Sequence, residues 1–491
     1  MPNSFADTVR TARNNSVTIK KFSDNNLSTT TNGAVNYTTS GNKCLDFFFN
    51  ISTYRKSNPC PAFDAAFQED PEMAVRIMLY ARDIRGGARE RNMFRQLLSH
   101  INTKIDSDLA IMICTKVPEI GRWDDLLVVA NQKNKTVTEF VYAMFAQALL
   151  AGNGLAAKWC PREKSVREAD RVFASGLRKY MNLSARSYRK MLVGLTNVVE
   201  TSICNKTYAA IDYNKLPSLA ANRYSKLFEK YDSKRYAKYL KDLENGVNGA
   251  KINAATLFPY DVLRQPNAKL KDAQWAALPN LVGDKKILAM IDTSGSMRSG
   301  CSEGLTCADV ANSLGMYFAS KVQGAFNGVF MTFSNSPFLV RFNDTKSVDG
   351  MLATIRANSI VANTNIEAAF NYILNHATKH KVPQNEMPEM LMIFSDMQFD
   401  EGVSNSYSTR TTYQVMQKKF QQAGYDIPNV VFWNIAARAG GNPVTMHQSG
   451  TALVSGFSPD IATSIMSSKT LTPVSIMLEA VMKPRYDIRV D

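Results

Sequence analysis

From Pro71 onward, apolar positions recur at helical spacing: Met73, Ile77, Ala81 and Ile84 lie at i, i+4, i+8 and i+11. After the Gly86-Gly87 break, Met93, Phe94, Leu97, Leu98 and Ile101 form a second apolar face. Further helices are predicted over 109–116, 137–150, 165–180, 185–199 and 223–240, separated by short Gly, Pro or Asn breaks. Helices in series without intervening strands predict a HEAT-like α-helical repeat over 46–275. The pattern changes across 265–284. Beyond it, apolar runs of strand length (287–291, 328–333, 391–394 and 430–435) alternate with helical patterns, which predicts a mostly parallel sheet covered on both faces over 285–491. The expected fold class is therefore α + α/β, a helical solenoid followed by a doubly wound, Rossmann-like domain. Residues 1–45, rich in Asn, Ser and Thr and marked by Asn32-Gly33 and Ser40-Gly41 turns, are expected to form a poorly structured arm.

A chain of 491 residues exceeds what one core organises, consistent with this division. The sequence holds no apolar run of about 18 residues, so no membrane-spanning helix is expected. The opening residues Met1 to Asp7 lack a basic segment followed by an apolar one, so no secretory signal is expected. The 7 cysteines are scattered, with no C-x2-C pair or zinc spacing, and reduced thiols in the cytoplasm are the simplest reading.

Net charge is informative once it is located. Residues 1–280 carry 41 Lys and Arg against 26 Asp and Glu, whereas residues 281–491 carry 17 of each. The whole excess of +15 precedes the sheet domain, an asymmetry that points to a polyanion-binding module joined to a neutral one. A merely solubilising surface is the alternative. The densest basic stretch runs from Lys158 to Lys190, and its candidate polyanion contacts are Lys158, Arg162, Lys164, Arg167, Arg171, Arg178, Arg189 and Lys190. On a helix over 165–180, Lys164, Arg167, Arg171 and Arg178 would share one stripe, with Val166, Ala169, Phe173 and Leu177 opposite it against a core. Guanidinium groups suit phosphate oxygens. A second cluster over 223–241 interleaves lysines with Tyr224, Phe228, Tyr231, Tyr236 and Tyr239, which are readable as base-stacking rings or as anchors between helices. The arginines around Gly86-Gly87 form a third, weaker candidate, with capping of adjacent helix ends as the alternative.

The candidate metal chemistry lies in the second half. The run 287–291 ends in Asp292-Thr293-Ser294-Gly295-Ser296, a D-x-S-x-S loop that puts one carboxylate and two hydroxyls on a tight turn. Hard oxygen donors of this kind suit Mg2+ or Mn2+, which keep several waters and need few protein ligands. Asn363-Thr364-Asn365 precedes a helical pattern, and the run 390–394 leads to Ser395-Asp396. Ligands of open α/β sheets collect at the carboxyl ends of the strands, which is where Asp292 and Asp396 are expected.

This constellation resembles the metal-ion-dependent adhesion site (MIDAS) of a von Willebrand factor A domain. The resemblance implies direct ligation by Ser294, Ser296 and Thr364, with Asp292 and Asp396 reaching the ion directly or through water. Asp396 is followed by Met397, where that family commonly has glycine. Taken with the basic helical region, the whole resembles the TROVE-domain (Ro autoantigen-like) family, most firmly at 287–297, 363–369 and 393–400. Tyr188-Arg189-Lys190, Lys251-Ile252-Asn253-Ala254 and the stretch from Thr31 to Phe49 look closer to a branch found in phages and microbes. The resemblance implies a closed helical ring shut by the A domain, binding structured or misfolded noncoding RNA and single-stranded RNA ends as a ribonucleoprotein. The alternative is a metal-dependent protein–protein interaction module on a helical scaffold, with a partner carboxylate completing the ion's octahedron. Catalysis is not expected. Among 4 histidines, His376 and His380 stand at i, i+4 without an H-E-x-x-H, and neither a P-loop nor a strand-borne G-x-S-x-G occurs. Asp292 with Asp396 could in principle support metal-assisted phosphodiester hydrolysis, but hydroxyls dominate the ligand set.

Overall fold

The computed structural model describes residues 27–30, 35–130, 134–196, 198–254, 257–302, 304–334, 336–359, 365–399, 412–435 and 441–488. A short hairpin of β1 (Leu27–Thr29) and β2 (Val35–Tyr37) precedes the helices. The first of these are α1 (Lys43–Phe49), α2 (Cys60–Glu69), α3 (Pro71–Arg82), α4 (Arg91–His100), α5 (Ser107–Ile120), α6 (Leu127–Ala130), α7 (Lys135–Leu150), α8 (Gly154–Trp159), α9 (Glu168–Tyr180) and α10 (Ala185–Leu195). Local chemistry sets many of their ends. Asp70 caps α3 by accepting from the Met73 amide, and Pro71 takes the first turn, where no donor is lost. At the other end a Cβ on Gly87 would stand 2.0 Å from the Tyr80 carbonyl oxygen. Only glycine lets the chain fold back there, so that the Ala88 and Glu90 amides reach the Tyr80 and Ala81 carbonyls at 3.1 and 2.6 Å.

The helical region continues through α11 (Val199–Cys204), α12 (Ser218–Tyr231), α13 (Ser233–Asn245), α14 (Pro259–Leu263) and α15 (Ala268–Ala276). Here a second core appears. Ile211, Tyr213, Leu216, Phe228, Tyr236 and Leu240 pack together, apart from the large core that runs from Cys44 to Leu192 and on into the sheet domain.

The sheet domain opens with β3 (Ile287–Asp292) and a small hairpin of β4 (Gly300–Ser302) and β5 (Leu305–Thr306), which leads into α16 (Cys307–Lys321). Its other strands are β6 (Val329–Phe333), β7 (Leu339–Arg341), β8 (Met390–Ser395), β9 (Asn429–Asn434) and β10 (Thr451–Ser455). Its other helices are α17 (Val348–Ala357), α18 (Ile366–His380), α19 (Thr412–Gln422), α20 (Ile461–Ser467) and α21 (Pro473–Val481). The main sheet has the order β10-β9-β8-β3-β6-β7, and all its pairings are parallel except β6 with the edge strand β7. Strands β3, β6, β8 and β10 are buried along their whole length, which is why they read as unbroken apolar runs rather than alternations. The α + α/β expectation matches this architecture.

Both ends of the helical region rest on the sheet domain. Helices α1 and α3 pack on β10 and α21, while α14 and α15 pack on α16 and α17. The first of these interfaces is polar as well as apolar: Asn434 Nδ2 donates to the Phe49 carbonyl at 3.2 Å, Arg89 meets Asp460 at 2.8 Å, and the Tyr486 hydroxyl donates to Asp83 at 2.8 Å. The helical path is thus a closed circuit with the sheet domain as its clasp.

The expectation of a poorly structured arm over 1–45 is corrected where it can be followed. Strands β1 and β2 pair antiparallel. The Tyr37 amide donates to the Asn442 carbonyl at 2.8 Å, and the Asn442 amide returns a bond at 2.7 Å. A segment with few apolar residues finds its order on the sheet domain's surface instead of in a core of its own. The Thr31-Asn32-Gly33 motif lies outside the described residues.

Candidate metal centre and basic helical surface

In the order of the sheet, the chain turns at β3: it passes to β6 on one side and later returns to β8 on the other. The carboxyl ends of β3 and β8 flank that switch point, where doubly wound folds place ligands. Asp292 is the last residue of β3, and Asp396 follows the last residue of β8. The two acids, 104 positions apart in sequence, therefore come to one edge of the sheet, as expected.

Both are buried, Asp292 at 0% and Asp396 at 2% exposure. Asp292 Oδ1 accepts from the Ser294 amide at 2.9 Å and Oδ2 from the Ser395 hydroxyl at 2.6 Å. The hydroxyls of Ser294 and Ser296 lie 3.0 Å apart. Asp396 Oδ1 accepts from the Gln398 amide at 3.3 Å, while Oδ2 is buried with no hydrogen-bond partner among the described residues. Burial first, and the charge of Asp396 second, push the Asp292 carboxyl up to about 7. Two buried acids, an orphaned carboxylate oxygen and a pair of adjacent hydroxyls form a site deficient in positive charge, and a hard divalent cation fits that deficit. Among the described residues no three His, Cys, Asp or Glu side chains converge, so the donor set draws on hydroxyls. Thr364 lies outside the described residues; its neighbour Asn365 caps α18 by accepting from the Ala368 amide.

Ser395 is a site residue that the sequence reading misses. A hydroxyl-bearing residue at the end of an apolar run, one before the acid, is the available signal. Met397 has a φ of 61°, the left-handed backbone that explains why glycine suits this position. Its side chain is only 2% exposed, however. The backbone strain costs about 1 kcal/mol, whereas the buried side chain contributes about 1.5–3 kcal/mol, so burial wins. Met397→Gly is expected to lower unfolding stability by about 1 kcal/mol or more in denaturant titration; a stabilised variant would reverse that ranking.

The basic surface differs from expectation. Helix α9 begins at Glu168, with Arg167 as its extended N-cap, so Lys164 and Arg167 are not on the helix and the four-residue stripe does not form. Arg171 donates to the carbonyls of Ser165 and Val166, both at 2.9 Å, and Ser165 Oγ donates to Asp170 at 2.8 Å. These bonds fold 165–167 back across the helix start. Val166, expected to face a core, is 96% exposed; Phe173, Ala174 and Leu177 are the buried face. Three further candidates serve the fold. Arg178 pairs with Glu163 at 2.7 Å, Arg162 donates to Thr196 Oγ1 at 3.2 Å, and Lys158 approaches Glu200 at 3.9 Å.

What remains is a narrower set. Lys164, Arg167, Arg189 and Lys190 are exposed, and so are Lys179 and Arg186; none of these side chains has an ion pair or hydrogen bond among the described residues. Arg186, Arg189 and Lys190 stand at i, i+3 and i+4 on α10, while Tyr188 and Leu192 hold its other side in the core. Near Gly86-Gly87, Arg89 is bound to Asp460 and Arg85 donates to the Glu119 carbonyl, so interface bonding and helix capping account for these two, while Arg91 is exposed. Tyr236 is buried, Tyr224 bonds Glu200 at 3.3 Å, and Tyr239 bonds the Lys251 carbonyl at 3.0 Å, making these rings anchors.

Two family models match successive parts of the chain. A domain of unknown function, DUF2828, matches residues 30–104 and 129–288, and a second, DUF7788, matches residues 286–482. Neither bears the TROVE description. An uncharacterized protein of Acanthamoeba polyphaga mimivirus is 28% identical over 513 residues, covering 94% of this chain and 88% of that protein. Among solved structures, the Ro (RSR) protein of Deinococcus radiodurans overlaps 86% of this chain and 93% of its own, at 14% identity and a TM-score of 0.41.

Proposed function

We propose that this chain is a non-enzymatic RNA-binding protein whose helical region holds RNA through α9 and α10, and whose sheet domain binds a divalent cation such as Mg2+. One observation carries the reading: Arg186, Arg189 and Lys190 form an exposed cationic row without partners among the described residues, with Lys179 and Arg167 on the neighbouring helix and its cap. Of the neighbouring acids, Glu163 pairs with Arg178 and Asp170 accepts a hydrogen bond from Ser165; neither these nor Glu168 form an ion pair with the row among the described residues. Unmatched cations on a rigid helix face suit the phosphates of a polyanion, and each phosphate engaged adds about 0.7–0.9 to the salt dependence of log K. Filter binding of an RNA with a single-stranded end, across a salt series, tests this directly. Affinity should fall steeply as salt rises; affinity that is absent, or unchanged from low to moderate salt, overturns the reading.

Asp396 Oδ2, buried without a hydrogen-bond partner among the described residues, favours a second role that is compatible with the first. A cation held at this edge would keep coordination positions open for a carboxylate from a protein partner. Co-purification separates the two, recovering nucleic acid in one case and a defined protein, lost on Asp292→Ala, in the other.

A further inference from the structure

The second helical core carries an aromatic feature that core packing does not explain. Tyr231 ends α12 with 54% of its surface exposed, and its ring stacks on Tyr208 at 5.5 Å between centroids and 18° between planes. The helix it ends and the helix that follows each carry a row of cations. Arg223, Lys226 and Lys230 stand at i, i+3 and i+7 on α12, and Lys234, Lys238 and Lys241 at i, i+4 and i+7 on α13, so each helix presents one stripe. All six are exposed, and none has a salt bridge among the described residues. The nearby acids are turned to other tasks. Asp232 accepts from the Tyr213 hydroxyl at 2.6 Å, Glu229 from Asn267 at 2.7 Å, and Glu244 pairs with Lys269 at 2.7 Å. None of these three acids forms an ion pair with the six exposed cations among the described residues.

We propose that the Tyr208–Tyr231 pair is a stacking platform for an unpaired base, with the stripes of α12 and α13 tracking the sugar–phosphate backbone on either side. The platform deepens the RNA-binding reading and rests on it, but it adds a second binding element on a separate core, with a different preference. Flat rings take any base through its π-face and cannot reach a base held inside a duplex. Tyr208 backs one side of Tyr231, which pre-orders the ring and lowers the entropy lost on stacking. The Lys230 ammonium lies 5.0 Å from the Tyr231 centroid, close enough to pass from the ring to the phosphate of a stacked nucleotide. Paired bases would engage only the phosphate-binding stripes.

The test uses the full-length chain and labelled oligonucleotides of about ten nucleotides, a length spanning one such site: an oligouridine, its deoxy counterpart, and a fully paired RNA duplex. Tyr231→Ala should weaken single-strand binding by about tenfold, in keeping with loss of one base–ring stack. It should leave duplex binding unchanged, while Tyr231→Phe retains wild-type affinity for both. Equal losses for the ribose and deoxyribose strands support stacking, because the ring reads the base and not the 2′-hydroxyl. Single-strand affinity unchanged in Tyr231→Ala, while Arg189→Glu with Lys190→Glu still weakens binding, removes the platform and leaves the RNA-binding reading standing. Failure of the wild-type chain to bind any of the three overturns both.

Discussion

Asp125→Ala is expected to lower the unfolding free energy by about 3–5 kcal/mol, the cost of stranding a buried charge. Asp125 is fully buried in the turn before α6, and Arg82, at the end of α3, is 2% exposed. Arg82 Nη2 lies 2.7 Å from Asp125 Oδ2, Arg95 Nε lies 2.6 Å from Oδ1, and the Arg122 amide donates to Oδ2 at 2.9 Å. One carboxylate therefore ties α3, α4 and the turn after α5 together. Removing it strips the enclosed Arg82 guanidinium of its directly bonded carboxylate and leaves it only the more distant charge of the buried Glu90. Denaturant unfolding, compared with Asp124→Ala, measures the effect. Asp124 is 16% exposed at its side chain, and its loss should cost much less. Equal costs for the two would show that the network acts as a surface cluster.

Divalent cation should stabilise the wild-type protein and fail to stabilise Asp396→Ala. At a cation concentration about 100-fold above Kd the expected gain is about 2.7 kcal/mol. The cation-free protein provides an independent check through pH. The folded Asp292 carboxyl sits at about 7 against an ordinary 3.8. Between those values the folded state binds more protons than the unfolded one, so stability is fully present below about 4 and is lost as pH rises towards about 7. A bound cation favours the carboxylate and removes that loss. Asp396→Ala relieves the like-charge repulsion, so without cation it should flatten the same pH dependence. Thermal unfolding with Mg2+ and with chelator, at about pH 5 and about pH 8, on either side of the folded value, reads both effects. Equal Mg2+ increments in wild type and Asp396→Ala would place any bound cation elsewhere.

The sheet domain is readable in the sequence because its strands are buried from end to end and so appear as continuous apolar runs. The acids at the ends of two of those runs place the candidate site, and the backbone at Met397 gives the physical reason for glycine's suitability there. The basic surface is less readable, because charge along a sequence does not reveal which cations are already bound. Arg178 finds Glu163, 15 positions away, and Arg162 finds Thr196, 34 positions away. The start of α9 depends on Arg171 reaching back to two carbonyls, a side-chain choice that helical periodicity cannot encode. The extended Thr196 ends α10 and separates it from α11. Apolar residues resume at Val198 and Val199, so periodicity predicts one helix over 185–199 where the chain in fact leaves the helix at Thr196.

The central claim concerns the free cationic row of α10, and one measurement isolates it. Arg186→Glu, Arg189→Glu and Lys190→Glu, combined in one chain, alter exposed side chains and leave Tyr188 and Leu192 in place, so the fold should be retained. Filter binding of one RNA, with wild type and this variant side by side across the same salt series, should show weaker binding and a shallower salt slope, smaller by about 0.7–0.9 for each phosphate no longer neutralised. A variant with the wild type's affinity and slope would contradict the assignment of RNA to this surface.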